Sequence, residues 1–129
     1  MIVDTSALIA ILFAEPDAEL HARALASAHR CRISAANYVE AAIVVEAQTR
    51  DSGCREFDRF FQRSGIVIEP VTEEHAQLAR HAYMQFGKGR HRAGLNFGDC
   101  FAYALAKASG EPLLYKGADF RKTDIRSVL

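Results

Sequence analysis

The chain has 129 residues, 16 Lys+Arg balanced by 16 Asp+Glu, a formal net charge of zero and 50% hydrophobic residues. These are globular proportions, sufficient for one domain that buries about two-thirds of its unfolded surface, and they exclude disorder. Three cysteines exclude a disulfide-stapled miniprotein, and the Ala7–Ala14 apolar run is far short of the ~20 residues of a membrane span.

In chain order, MIVD reads as a short buried strand ending in a carboxylate, and Asp4-Thr5-Ser6 supplies capping chemistry for a helix from Ala7 to Phe13. Pro16 and Asp17 open a second helix over 17–29, CRIS (31–34) reads as a strand, and Ser34 caps a helix from Ala35 to about Arg50. The next helix, about 51–62, carries Cys54, Phe57, Phe60 and Phe61 on one face and ends at Gly65. IVIEPV (66–71) is a β-branched strand, and Thr72 caps a helix to about Phe86. Residues 87–98 hold four glycines and read as a loop. Gly98-Asp99 starts a helix to Ala108, closed by Gly110 and Pro112. LLY (113–115) predicts a buried strand, a Lys116-Gly117 turn follows, and IRSVL predicts a last strand. Strands alternating with helices predict a single-domain α/β sandwich with a mainly parallel central sheet.

The acids stand out by position. Asp4 ends the first strand, Asp119 follows another buried strand by a short turn, and Asp99 starts a helix after the glycine-rich loop. Sites in parallel α/β sheets form beyond the carboxyl ends of strands, so these three can converge on one edge. Glu40 joins them: on an ideal helix Ala36, Ile43, Val44 and Ala47 flank it, an apolar setting that is costly for a carboxylate without a partner. Glu46, by contrast, points away and can pair with Arg50 at i+4. Two carboxylates ~5 Å apart repel by roughly 3 kcal/mol at an effective dielectric of about 20. Three such pairs approach ~10 kcal/mol, the size of a domain's whole stability. A proton, a cation or a partner's basic side chain must relieve such a cluster. Carboxylate oxygens suit Mg²⁺ or Mn²⁺, which activate water and neutralise a phosphoryl group. The histidines and cysteines lack the HExxH and CxxC spacings of zinc sites, so zinc catalysis is not expected.

Four stretches, MIVDTSALIAIL, NYVEA, LNFGDCFAYALA and LLYKGADFRKTDI, taken in this order, resemble the PIN-domain ribonucleases and, within them, the VapC-type toxins of type II toxin–antitoxin modules. The resemblance covers essentially the whole chain. It implies a three-layer fold and Mg²⁺- or Mn²⁺-dependent hydrolysis of phosphodiester bonds in structured RNA, tRNA or rRNA. By position, Asp4, Glu40, Asp99 and Asp119 match the family's acidic quartet without departure, with Asp4, Asp99 and Asp119 as metal ligands. Ser6 and Asn96 match supporting polar positions, and Asp124 lies where members often carry an extra acid near the metals. Cys31, Cys54 and Cys100, odd in number and without a zinc spacing, read as reduced small hydrophobes of a cytoplasmic protein, and the short apolar run leaves no membrane partner expected. The resemblance also implies a homodimer and a VapB-type antitoxin whose basic tail enters the acidic pocket, in a heterotetramer or larger assembly.

RNA contacts are expected from the KGRHR loop. Residues 75–98 contain no Asp or Glu but do contain Arg80, Lys88, Arg90 and Arg92, and the loop runs toward Asp99. Lys88, Arg90 and Arg92 are the RNA-binding candidates, and His81 and His91 could add charge. Arg55, Arg59 and Arg63 form a second stripe, which reads as a solvated helix face. The net zero is therefore a cancellation between an acidic pocket and a basic rim. Two alternatives stand beside the nuclease. A catalytically silent RNA- or antitoxin-binding module predicts a missing acid. A haloacid-dehalogenase-like phosphatase wants an aspartate two residues after its nucleophile, where this chain has Ser6, and a receiver domain carries its phosphoacceptor on a later strand.

Overall fold

A computed structural model describes residues 1–129. Its elements are β1 (Ile2–Val3), α1 (Thr5–Leu12), α2 (Ala18–Ser27), β2 (Arg32–Ser34), α3 (Ala35–Thr49) and α4 (Asp51–Ser64), then β3 (Val67–Glu69), α5 (Glu73–Phe86), α6 (Phe97–Ser109) and β4 (Leu113–Leu114), with a final 3₁₀ turn at Phe120–Lys122. The sheet is wholly parallel in the order β3-β2-β1-β4. Of its two central strands, β1 carries apolar side chains on both faces, Ile2 and Val3, whereas β2 is apolar on the Ile33 face and polar on the Arg32 and Ser34 face. Ile2 and Leu113 point into a core shared with α5 and α6, while Val3, Ile33 and Leu114 point into a second core with α1, α3 and α4. This is the α/β sandwich with a parallel sheet that the alternation of elements predicts, in the three-layer α/β/α form that the family resemblance implies.

Several boundaries differ for physical reasons. Helix α6 starts at Phe97 and its cap is Asn96, which forms a reciprocal capping box with Asp99. Asp99 thus sits inside the first turn rather than at the start. The C-terminal IRSVL segment forms no full strand. It makes a single bridge, Ser127 opposite Leu113, with Leu113 N–H donating to Arg126 O and Val128 N–H donating to Leu113 O. The predicted loop 87–98 is pinched shut at its base by a Gly87–Leu95 bridge. Arg50 takes a left-handed φ of 54° between α3 and α4, and the expected Glu46–Arg50 pair is not formed. Arg59 pairs with Glu56 at 3.3 Å, in keeping with a solvated face. Cys31 and Cys100 are buried and pack as small hydrophobes in the two cores. No helix is long and apolar enough to cross a membrane.

Candidate metal centre

The acidic edge is assembled from the carboxyl ends of β1 and β4 and from two helices that lean over them. Asp4 leaves β1 with extended backbone and caps α1, accepting from the Ser6 amide at 2.9 Å and from the Ser6 hydroxyl. The chain must reverse direction just there, and an Asp-x-Ser turn satisfies the free helix N–H groups. Ser6 Oγ in turn accepts from the Lys116 amide at 2.9 Å, which joins the segment after β4 to the segment after β1. Both Asp4 oxygens are thus fixed, but only Oδ2 is bonded. Oδ1 is buried with no hydrogen-bond partner, and Asp4 is 3% exposed.

Asp99 is held by the capping box. Its Oδ2 accepts from Asn96 N–H at 2.9 Å, and Asn96 Oδ1 accepts from Asp99 N–H at 2.9 Å. Asn96 is therefore the residue that orients the Asp99 carboxylate. Asp119 is exposed and precedes the 3₁₀ turn, with no capping bond from its side chain. Gly117, at φ 97°, makes the turn that brings it round.

Glu40 is half-buried and lies against Gly98, not on a core face as its sequence neighbours suggested. The buried stripe of α3 is Asn37, Ala41 and Val45, whereas Ile43 is 60% exposed. The apolar flank inferred for Glu40 is in fact solvent-facing. Its carboxylate occupies the space where any other residue at position 98 would place its Cβ, 1.9 Å from Glu40 Oε2.

Electrostatics tie the four together. Burial pushes the Asp99 carboxyl up to about 7, and Asp4, Asp119 and Glu40 add repulsion in that direction. Burial likewise raises Asp4, with Glu40 contributing and the Ser6 bonds opposing. No group of three His, Cys, Asp or Glu side chains closes tightly enough to enclose an ion. The donor chemistry nevertheless fits a hard divalent cation: all-oxygen, anionic, with one buried oxygen left without a partner.

Asp124 stands apart from this edge. It accepts from Tyr103 Oη at 2.7 Å and pairs with Lys107, and these contacts outweigh partial desolvation to hold its carboxyl below the usual range. It is not among the groups that press on Asp99. Lys88, Arg90 and Arg92 are all exposed on the pinched loop, with the Arg90 guanidinium 5.8 Å from the Tyr83 ring centre. Lys122, from the turn after Asp119, donates to Arg92 O at 3.1 Å and so ties the basic loop to the acidic edge. His91 acts as a loop brace: its Nδ1 accepts from Ala93 N–H at 3.0 Å and its ring meets Phe86 edge-on.

Two residues escaped the sequence reading. Asn37 is fully buried and donates to Gly98 O at 3.0 Å, while Thr5 Oγ1 donates to Asn37 O at 3.2 Å. It joins α1, α3 and α6 one turn before Glu40. Its signal was present as a lone polar residue in register with Ala41 and Val45. Gly98 gave no local signal, because its role is set by a residue 58 positions earlier.

Residues 1–126 match the PIN domain family. Over 128 residues the chain is 52% identical to Ribonuclease VapC of Mycolicibacterium smegmatis, covering 99% of both chains. It is 51% identical to Ribonuclease VapC30 of Mycobacterium tuberculosis over 128 residues, covering 99% of this chain and 98% of that one. In structure it is similar to the crystal structure of M. tuberculosis VapC20, a sarcin–ricin loop cleaving toxin, with TM-score 0.78 at 16% identity, covering 96% of this chain and 95% of that one. It is also similar to a chain of a toxin–antitoxin complex from Klebsiella pneumoniae, with TM-score 0.70 at 16% identity, covering 95% and 92%. At that identity the two structures bear on the fold alone, whereas the full-length sequence matches carry the kinship: the chain belongs to the PIN-domain family and, within it, to the VapC ribonucleases.

Proposed function

We propose that this chain is the toxin of a type II toxin–antitoxin pair, a divalent-cation-dependent endoribonuclease that hydrolyses phosphodiester bonds in structured RNA, tRNA or rRNA. The observation that carries the reading is Asp4 Oδ1, a buried carboxylate oxygen without a partner beside Glu40 and Asp99. Such an oxygen is costly unless a cation or proton meets it. Asp4, Asp99 and Asp119 would hold Mg²⁺ or Mn²⁺, with Glu40 beside them as the fourth catalytic acid. Such an ion supplies Lewis acidity toward the scissile phosphate and the attacking water. The chain's own residues do the rest. Ser6 fixes Asp4 and Asn96 fixes Asp99, while Lys88, Arg90 and Arg92 guide the RNA backbone onto the acidic edge. Asp124 supports the edge from outside, through α6 and Lys107.

The antitoxin we assign is a VapB-type protein whose basic side chain relieves the same clustered charge that a metal would. The names of the sequence relatives and the toxin–antitoxin title of one structural neighbour support that pairing. Val39, Ile43 and Phe97, on the packed helices α3 and α6, are more than half exposed, an apolar face suited to a second copy of the chain. The assembly is then a homodimer, and a heterotetramer or larger with antitoxin, acting in the cytoplasm where its RNA resides. Incubation with tRNA and rRNA in Mn²⁺ or Mg²⁺ tests the activity against Asp4→Asn, Asp99→Asn and EDTA controls. Cleavage by wild type alone is the expected outcome. Equal inertness of all samples would leave a silent RNA- or antitoxin-binding module.

A further inference from the structure

Lys116 has no place in the acidic quartet, yet its backbone is tied to Ser6 beside Asp4 and its side chain to the α1–α2 connection. Its backbone N–H donates to Ser6 Oγ at 2.9 Å, and that same hydroxyl donates to Asp4 Oδ2. Its Nζ reaches the far end of α1, where it bonds Glu15 and lies 3.0 Å from Asp17 Oδ1, an ion pair whose alignment falls short of a hydrogen bond. Asp17 also meets the Nε2 of buried His21 at 3.4 Å, which anchors the acidic end of the clasp in α2. Between α1 and Glu15 the chain passes through Ala14 at φ 50°, a left-handed conformation that closes α1, with Glu15 N–H donating back to Ala10 O at 3.0 Å. Lys116 is therefore a staple: its backbone ties the chain after β4 to the start of α1, and its side chain ties it to the α1–α2 connection. Gly117 turns the chain immediately afterwards, so the staple also fixes where Asp119 departs from β4.

We infer that Lys116 is a positioning residue for the metal site: it sets Asp4 through Ser6 and Asp119 through the turn, and so determines the affinity for the divalent cation. The inference rests on reading the acidic edge as a cation site. Orienting partners behind metal ligands commonly change metal affinity 10–100-fold when removed. The sign of the effect separates positioning from charge. A lysine acting merely as a nearby positive charge repels Mn²⁺, so its removal would tighten binding. A lysine that positions the ligands weakens binding on removal.

The test is Mn²⁺ titration by calorimetry on wild type, Lys116→Met and Lys116→Arg, with the fold checked by circular dichroism and thermal melting. Wild type should bind. K116M, which keeps the aliphatic stem, should bind roughly tenfold more weakly. K116R, which keeps the cation, should recover to within about threefold of wild type. If K116M does not fold, Glu15→Gln carries the measurement, since it frees Nζ from one anchor and leaves the backbone bond to Ser6; weaker Mn²⁺ binding is again expected. Equal or tighter Mn²⁺ binding by a folded K116M, even with a lowered melting temperature, would overturn the positioning role and leave a stabilising clasp. Absence of Mn²⁺ binding by wild type would instead overturn the cation reading, and the role of Lys116 with it.

Discussion

Glu40 and Gly98 interlock: the Glu40 carboxylate fills the volume where a side chain at position 98 would begin, with Oε2 1.9 Å from the position a Cβ would take. The obstructing atom is the tip of a flexible side chain rather than backbone, so a substitution there should shift Glu40 and spare the fold. Gly98 also sits within α6, where alanine is the better helix former by up to about 1 kcal/mol. Gly98→Ala should therefore leave the melting temperature unchanged or slightly raised while RNA cleavage falls by up to about 100-fold in kcat/KM, the scale for misplacing a catalytic group by ~1 Å. Parallel thermal melts and cleavage assays check both halves.

Asp99 should make the metal-free protein less stable as pH rises. Its folded-state value is raised to about 7 from an ordinary value of 3.8. Between those limits the folded chain holds a proton that the unfolded chain has released, so stability declines as pH climbs through the interval. Asp99→Asn should abolish that decline, stabilising the metal-free protein at pH 8 by ~1–2 kcal/mol after allowance for solvent contact, with little difference at pH 4. Denaturant unfolding at the two pH values measures it. Mn²⁺ should raise the wild-type midpoint at pH 8 and leave D99N nearly unmoved.

Asn37 should be a stability residue with a catalytic consequence. Its amide is fully buried and bridges Gly98 O and Thr5 Oγ1 at 3.0 and 3.4 Å. Asn37→Ala leaves the Gly98 carbonyl without this donor and opens space between three helices, at a cost of about 1–3 kcal/mol. Urea midpoints read that loss. Cleavage by the folded fraction should also fall, because α3 carries Glu40 and α6 carries Asp99.

The basic loop should act through the phosphate backbone. Replacing Lys88, Arg90 and Arg92 together with Gln should weaken RNA binding for every sequence tested and flatten the dependence of log Kd on log salt by about 2, at roughly 0.7 per contact on single strands. Filter binding of metal-free D99N protein across a salt series measures this without cleavage. The loop is closed at its base by the Gly87–Leu95 bridge, so the fold should be unaffected.

The placement of three of the acids was legible in the linear chain because it follows from local signals. Asp4 and Asp119 follow apolar strands, Asp99 follows a glycine-rich loop, and strand–helix alternation places strand ends on one edge. The capping box shows where local reading stops short. Asn96 and Asp99 are three residues apart and suit each other, yet only the helix start at Phe97 shows which of them caps.

Strand–helix alternation, the positions of the four acids and the charge of the basic loop could be read along the chain, since each depends on periodicity, strand ends and charge among neighbouring residues. Tertiary structure alone decided what lies against them. It moved Glu40 off the core face and onto Gly98, buried Asn37 at the meeting of three helices, and set Asp124 against Lys107 and Tyr103. It also brought Lys116 to Glu15 and Asp17, 101 and 99 residues earlier in the chain. These contacts arise from packing between elements distant in sequence, and no local period or propensity encodes which distant partner a side chain will meet.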